Sequence, residues 1–476
     1  MKTLIKTLLF ILSSHFFYPL NAQMMYQDVT NKNLGIGAYG RIGVDWNFEN
    51  GGAIGRRLNL NNMGSIGGRL EEQDYLELAT ALHFKPFKKS DSTIINFQAR
   101  FSVFSRSLSL FGNSTTSSLG GLTFGLPELY VEAKDIKGLP LNAWIGARLY
   151  RGPDVHIADH FFFNDHSGQG FGVEYKNTRF SGIFVASTDT SSTLPPSFYL
   201  NIATGTPSLS LRGRYVFALE HDIILNEKNA VTLLGEYHNL EDASATDDIP
   251  DSLETVLNYP SDFGWVLGAR HMLDLPQFGD GSFNQFSIRY GSRIANGGDG
   301  GLSRTYLTYG APNLNTGRFN NAYSLAIVNH LVMNISKIWD FNAYFFYTKS
   351  RGAAETLDEA ETYFGRTVMN SKEEWAIGFR NTNFITDIFH LLSEMHFSQR
   401  KDGTQLPYNV IKFSLSPTLV PTGERSQWAR PHLRLVFSLA RFNDKTVEDL
   451  YSPFLAFAGP RQWGHYFGFK AEWWIW

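Results

Sequence analysis

Apolar and polar residues alternate one by one along many short stretches of this chain. In INFQARFSV, Ile95, Phe97, Ala99, Phe101 and Val103 fall on one face, and Asn96, Gln98, Arg100 and Ser102 on the other. A side-chain period of two marks a β-strand, because successive Cβ atoms point to opposite faces. Four more segments repeat it. Leu76, Leu78, Leu82 and Phe84 oppose Tyr75, Glu77, Ala79 and His83, while Ala143, Ile145, Ala147 and Leu149 oppose Trp144, Gly146, Arg148 and Tyr150. Phe286, Ile288 and Tyr290 oppose Gln285, Ser287 and Arg289. Ala429, Pro431, Leu433, Leu435 and Phe437 oppose Trp428, Arg430, His432 and Arg434.

The polar face repeatedly carries arginine, glutamate and single aromatics. A soluble sandwich has to pack its apolar face against a second sheet. A membrane barrel needs only lipid outside and water inside, and closure satisfies the backbone of every edge strand. Blocks rich in Gly, Ser, Asn and Asp interrupt the alternation at 51–68, 107–125, 187–196, 241–262, 294–320, 353–371 and 440–461. At roughly 25 residues per strand and connection, the chain makes about 18 strands, enough to keep an aqueous lumen. The pattern therefore predicts an all-β fold: one transmembrane antiparallel β-barrel spanning residues 23–476.

Composition supports this reading. Aromatics make up 15% of the chain and glycine contributes 43 residues. The start, MKTLIKTLLFILSSHFFYPLNAQ, places Lys2 and Lys6 before an apolar core and ends at Ala22, the layout of a signal peptide over residues 1–22. No later apolar run is long enough for a spanning helix. An exported protein of this kind is expected in the outer membrane of a Gram-negative bacterium, with lipid around it. There is no cysteine, so the fold needs no disulfide. A net charge of −3 argues against nucleic acid as a partner. The C-terminal FGFKAEWWIW reads as a last strand anchored by interfacial aromatics.

One segment stands apart. YRGPDVHIADHFFFNDHSGQG, from Tyr150 to Gly170, crowds acids, histidines and phenylalanines together with no helix or strand period. Inside a water-filled tube such a segment forms a constriction. Asp154, His156, Asp159, His160, Asp165 and His166 are metal-ligand types, but their spacing is not that of a metal motif, and a hydrogen-bonding network is expected instead. No metal or cofactor is predicted. With no G-x-S-x-G and no nucleophile–base–orienter spacing, no enzyme is predicted either.

These segments resemble the maltoporin (LamB-type) sugar porins. AYGRIGVDW is similar to their first strand, YLEL to the second, and WIGARLYRGPDVHIADHFFFNDHSGQGFGVE to the strand and inward-folded third loop that narrow the pore. SFNQFSIRY, WARPHLRLVF and the terminal segment resemble later strands. The resemblance implies a homotrimer of 18-stranded barrels that passes maltodextrin or a related oligosaccharide along an aromatic slide. It places slide aromatics at Tyr39, Tyr75, Phe283, Trp428 and Trp474, with polar partners at Arg41, Arg69 and Glu77. In the third loop it implies roles for Asp154, His156, Asp159 and Phe161. The family's arginine before the first aspartate is Gly152 here, and its constriction tyrosine is Phe161. The alternatives are a general or other-sugar (sucrose-like) diffusion porin, or a barrel that binds polysaccharide without transporting it.

Overall fold

The computed structural model describes residues 34–48, 55–84, 92–105, 122–186, 198–201, 206–209, 213–242, 260–299, 307–362 and 367–475. The predicted signal peptide and the loop at 106–121 lie outside the described residues.

Eighteen strands form one antiparallel sheet. In chain order they are β1 (Leu34–Trp46), β2 (Tyr75–Phe84), β3 (Ile94–Ser105), β4 (Leu122–Lys134), β5 (Leu141–Arg148) and β6 (Gly168–Tyr175). Next come β7 (Thr178–Ala186), β8 (Gly213–Asn226), β9 (Asn229–Leu240), β10 (Asp262–Asp274), β11 (Phe283–Arg293) and β12 (Tyr323–Met333). The last six are β13 (Trp339–Arg351), β14 (Ser371–Phe384), β15 (Phe389–Asp402), β16 (Tyr408–Leu419), β17 (His432–Phe442) and β18 (Trp463–Ile475). Each strand pairs with the next, and β1 pairs with both β2 and β18. The barrel is closed, so no strand edge is left unsatisfied.

The predicted alternation holds strand by strand. Leu76, Leu78, Leu82 and Phe84 are exposed on the outer wall, while Glu77, Ala79 and His83 are buried inside. The two ends differ. Residues 176–177 and 227–228 make two-residue turns at one end, whereas the described residues 55–74, 149–167, 307–322 and 443–462 belong to long connections at the other. That is the usual asymmetry of outer-membrane barrels, with short turns facing the periplasm.

The segment 420–431 departs from the expectation. Trp428, Ala429 and Arg430 read as strand, yet β17 begins only at His432. Pro431 has no N–H to give to a ladder, so pairing cannot start earlier. The segment instead tucks under the barrel: Gln427 donates through its backbone to Asp340 (3.1 Å) and through its amide to Asn334 (3.1 Å), and Arg425 pairs with Asp387 at 2.6 Å.

Among the described residues, 55–74 and 149–167 reach into the lumen. The first was legible only as an irregular block, yet Leu58, Leu60, Ile66 and Leu70 pack deep inside with Tyr344, Val410 and Val436 of the wall. Its approach needs glycine. Gly67 and Gly68 have φ of 101° and 105°, and a Cβ on Gly68 would lie 2.8 Å from His396 Nε2. With no side chain there, the Gly67 N–H donates to the Tyr344 hydroxyl at 3.0 Å. The third loop, at 149–167, joins the same core through Val155, Ile157, Phe162 and Phe163. Each fully buried side chain of this size stabilises the docked loop by roughly 1.5–3 kcal/mol.

Candidate functional site

Register builds the first part of the site. Across the β1–β2 and β1–β18 ladders, Tyr39 stands opposite Glu77 and Trp474, and Arg41 opposite Tyr75 and Glu472. All six side chains share the inward face. The Tyr39 and Tyr75 rings lie 5.8 Å apart, and the Arg41 guanidinium sits 5.1 Å from the Tyr75 ring. Arg69 arrives from the first loop and donates to the Tyr39 hydroxyl at 2.8 Å.

Acids fix these groups. Tyr39 donates to Glu472 at 3.0 Å, and Glu472 also pairs with Arg430 (3.0 Å), Arg434 and Arg69 (3.4 Å). Glu72 binds Arg41 at 2.8 Å and Arg69 at 3.2 Å. Burial alone would raise the Glu72 carboxyl, but Arg41 and Arg69 outweigh it and hold the pKa at about 2. Tyr75 donates to Glu77, which pairs with Arg100 at 2.9 Å; Arg100 in turn reaches Glu128 at 2.6 Å. The result is a wall of fixed donors and acceptors beside ring faces.

The third loop faces this wall. Asp154–Val155 and His160–Phe161 form a small antiparallel ribbon around a 3₁₀ turn, His156–Ala158. Asp159 closes the turn in a left-handed conformation, φ 44°, which aspartate tolerates better than most residues. Asp159 is an exposed residue within electrostatic range of Arg41 and Arg69. Phe161 is half-buried beneath the Arg151 guanidinium, 4.8 Å from its ring. The structure explains Gly152: a Cβ there would lie 1.6 Å from Asn164 Oδ1. A side chain at 152 would have to displace the Asn164 amide, and Arg151 extends over the loop instead.

Asp154 and His156 are buried rather than open to the lumen. Burial, reinforced by the charge of Asp159, pushes the Asp154 carboxyl up to about 7. Burial, then Arg69 and Arg430, holds His156 well below its ordinary range, so the ring stays neutral. Its Nδ1 lies 3.2 Å from Arg69 and its Nε2 3.3 Å from Arg430. The ring wedges between Trp428 and Trp474, 5.2 and 6.2 Å away by centroids. Arg430 covers Trp474 from 4.0 Å. The candidate ligands of the loop diverge: His166 turns to Glu236 (3.0 Å), while Asp165 bonds to Ser167.

The LamB porin family model matches residues 34–474. This chain belongs to the LamB porin family. The family and the closed barrel identify an outer-membrane channel rather than an enzyme. Among solved structures, it is similar to OccAB2 of Acinetobacter baumannii, with 10% identity, coverage of 93% of this chain and 98% of that chain, and a TM-score of 0.44. It is also similar to OmpF of Salmonella typhi in complex with daunomycin, at 8% identity over 93% and 97% of the chains, with a TM-score of 0.39.

Of the site residues expected in this LamB porin, Tyr39, Arg41, Arg69, Tyr75 and Glu77 come together, with Asp159 in electrostatic range. Trp428 and Trp474 meet at His156, the former from the turn rather than from a strand. Phe283 stands apart on β11, 3% exposed and edge-on to His330 at 5.3 Å. Sequence reasoning passed over Glu472, Arg430, Arg434 and Arg100, although each lies an even number of residues from a named inward aromatic or within a derived polar face. Glu72 sits in an aperiodic loop and gave no signal.

Proposed function

We propose that this porin carries maltodextrin-type oligosaccharides across the outer membrane by facilitated diffusion. The observation that supports the reading most is the Tyr39–Tyr75 ring pair, set beside Arg41 and Glu77, with Asp159 in electrostatic range. A pyranose has CH-rich faces that stack on aromatic rings, and hydroxyl edges that bond to charged partners. Weak, repeated sites let a solute enter and also leave. Within this proposal the chain works as a homotrimer, and residues 1–22 serve as its export signal.

A second reading, an other-sugar porin, draws on two observations. The Trp428 and Trp474 rings are covered by His156 and Arg430, and Phe161 lacks a hydroxyl at the constriction. Reconstitution in planar bilayers separates the readings. Graded current block that strengthens from maltose to longer maltodextrins supports the maltodextrin channel. Block by sucrose alone favours the second reading, and conductance indifferent to every sugar at millimolar concentration removes both.

A further inference from the structure

The tyrosine pair is one end of a route, and the wall offers two directions from it. Towards β11–β17 the lumen is full. Ala376, Ser398, Ser414 and Thr418, all inward-facing, have no exposed surface, and Phe283 has almost none. The Trp428 and Trp474 faces are occupied by His156 and Arg430.

Towards β5–β8, Trp144, Ile183 and Val216 are buried against the wall, but the charged side chains beside them keep exposed surface. Arg148 is 17% exposed, Arg179 24% and Asp222 25%. Tyr150, at the root of the third loop, is half-buried and reaches down to donate to Glu174 at 2.9 Å. Glu174 and Arg179 flank the two-residue turn at 176–177, so this hydrogen bond links mid-barrel to the periplasmic end. Trp144, buried and 5.5 Å away, backs the Tyr150 ring, and the Arg148 guanidinium lies 4.9 Å from it. Arg179 is held by Asp222 at 2.6 Å and Glu220 at 3.0 Å.

We infer that the periplasmic half of the sugar route follows β5–β8, with Tyr150 as a stacking station and Arg148, Glu174, Arg179 and Asp222 as hydroxyl partners. This rests on the sugar-channel reading. Arg148 and Arg179 are also paired with Glu132 and Glu220, so the wall offers fixed donors and acceptors side by side, as the hydroxyls of a polyhydroxylated ring require. The Tyr150 ring lies among Trp144, Arg148 and His166 but keeps part of its surface exposed, whereas Phe283, sealed against His330, keeps almost none.

The test compares Tyr150→Ala, Tyr150→Phe and Phe283→Ala in the full-length chain, by current block with maltotriose and maltohexaose. Tyr150→Ala weakens maltohexaose block about 3- to 10-fold, the worth of one aromatic contact. Tyr150→Phe keeps the ring and stays within about twofold of the parent, since stacking rather than the Glu174 bond carries the affinity. Phe283→Ala leaves block unchanged. Should Tyr150→Ala fail to insert, Arg179→Gln replaces it and also weakens block. Full block in Tyr150→Ala with loss in Phe283→Ala overturns the inference, as does a Tyr150→Phe channel as impaired as Tyr150→Ala. A parent channel that no sugar blocks removes the sugar reading itself, whereas loss confined to a Tyr75→Ala control removes only the β5–β8 route.

Discussion

Phe163 anchors the third loop at its deepest point. Its ring has no exposed surface, lies 5.1 Å beneath the Arg270 guanidinium, and packs over Gly268 in a core shared with Leu234 and Phe346. A buried phenylalanine removes on the order of 200 Å² from water, worth about 5 kcal/mol at 25 cal/mol per Å². Truncation to alanine typically costs about 3–5 kcal/mol, including the cavity it leaves. Val155, Ile157 and Phe162 still hold the loop, and His166 still meets Glu236 at 3.0 Å. The loop therefore remains docked most of the time, but its undocked fraction rises by about 100-fold or more, at tenfold per 1.4 kcal/mol. Single-channel recording of Phe163→Ala should show brief steps to higher conductance that the parent lacks. The strand ladders are untouched, so the variant should fold with the parent's β-sheet content by circular dichroism. Parent-like conductance and noise in a correctly folded variant would refute the idea that loop seating sets the pore.

Other consequences follow from the charges. In Glu472→Gln, Arg430 and Arg434 lose their shared counter-ion while Arg69 retains Glu72, so reversal potentials in a salt gradient should move towards anions; no shift would place Glu472 outside the ion path. Loop seating also depends on pH through two opposed groups. Asp154, raised to about 7 and facing Asp159, Arg69 and Arg151, stabilises the docked loop below its ordinary pKa and loses that contribution as pH rises towards 7. His156 is depressed by burial, Arg69 and Arg430, so its contribution is complete above pH about 6.5 and is lost as pH falls. The two slopes offset each other between pH about 4 and 6.5. Asp154→Asn should leave the loop looser on acidification, and His156→Gln looser as pH rises to 7, read as open-step frequency; identical pH profiles in both variants would contradict the assignment.

The barrel was legible because strand geometry is local. Each Leu–Glu or Phe–Arg alternation records which way a Cβ points, and closure adds only the condition that every edge finds a partner. The Tyr39–Arg41 and Tyr75–Glu77 pairs were legible for the same reason, being two residues apart on inward faces. The first loop was not. Leu58, Ile66 and Arg69 carry no period, and their positions are set by contacts with Tyr344, Val410 and Tyr39, remote in the chain. Trp428 misled because Ala429–Pro431 continues the alternation into a segment whose proline cannot donate to a ladder. Phe283 has the right register, but register does not reveal that His330 closes over its ring. Gly152 is similar: the sequence shows only a missing arginine, whereas the structure shows the Asn164 amide in the space a side chain would need.

The most direct test of the channel's central feature is sugar block of ion current in a Tyr39→Ala/Tyr75→Ala variant. Both rings leave while Arg41, Arg69, Glu77 and Asp159 stay. Two stacking contacts of about 0.5–1.5 kcal/mol each predict maltodextrin affinity lower by roughly 5- to 150-fold, with ion conductance equal to or above the parent's. Unchanged maltodextrin affinity in that variant, with the current still carried, would contradict the account.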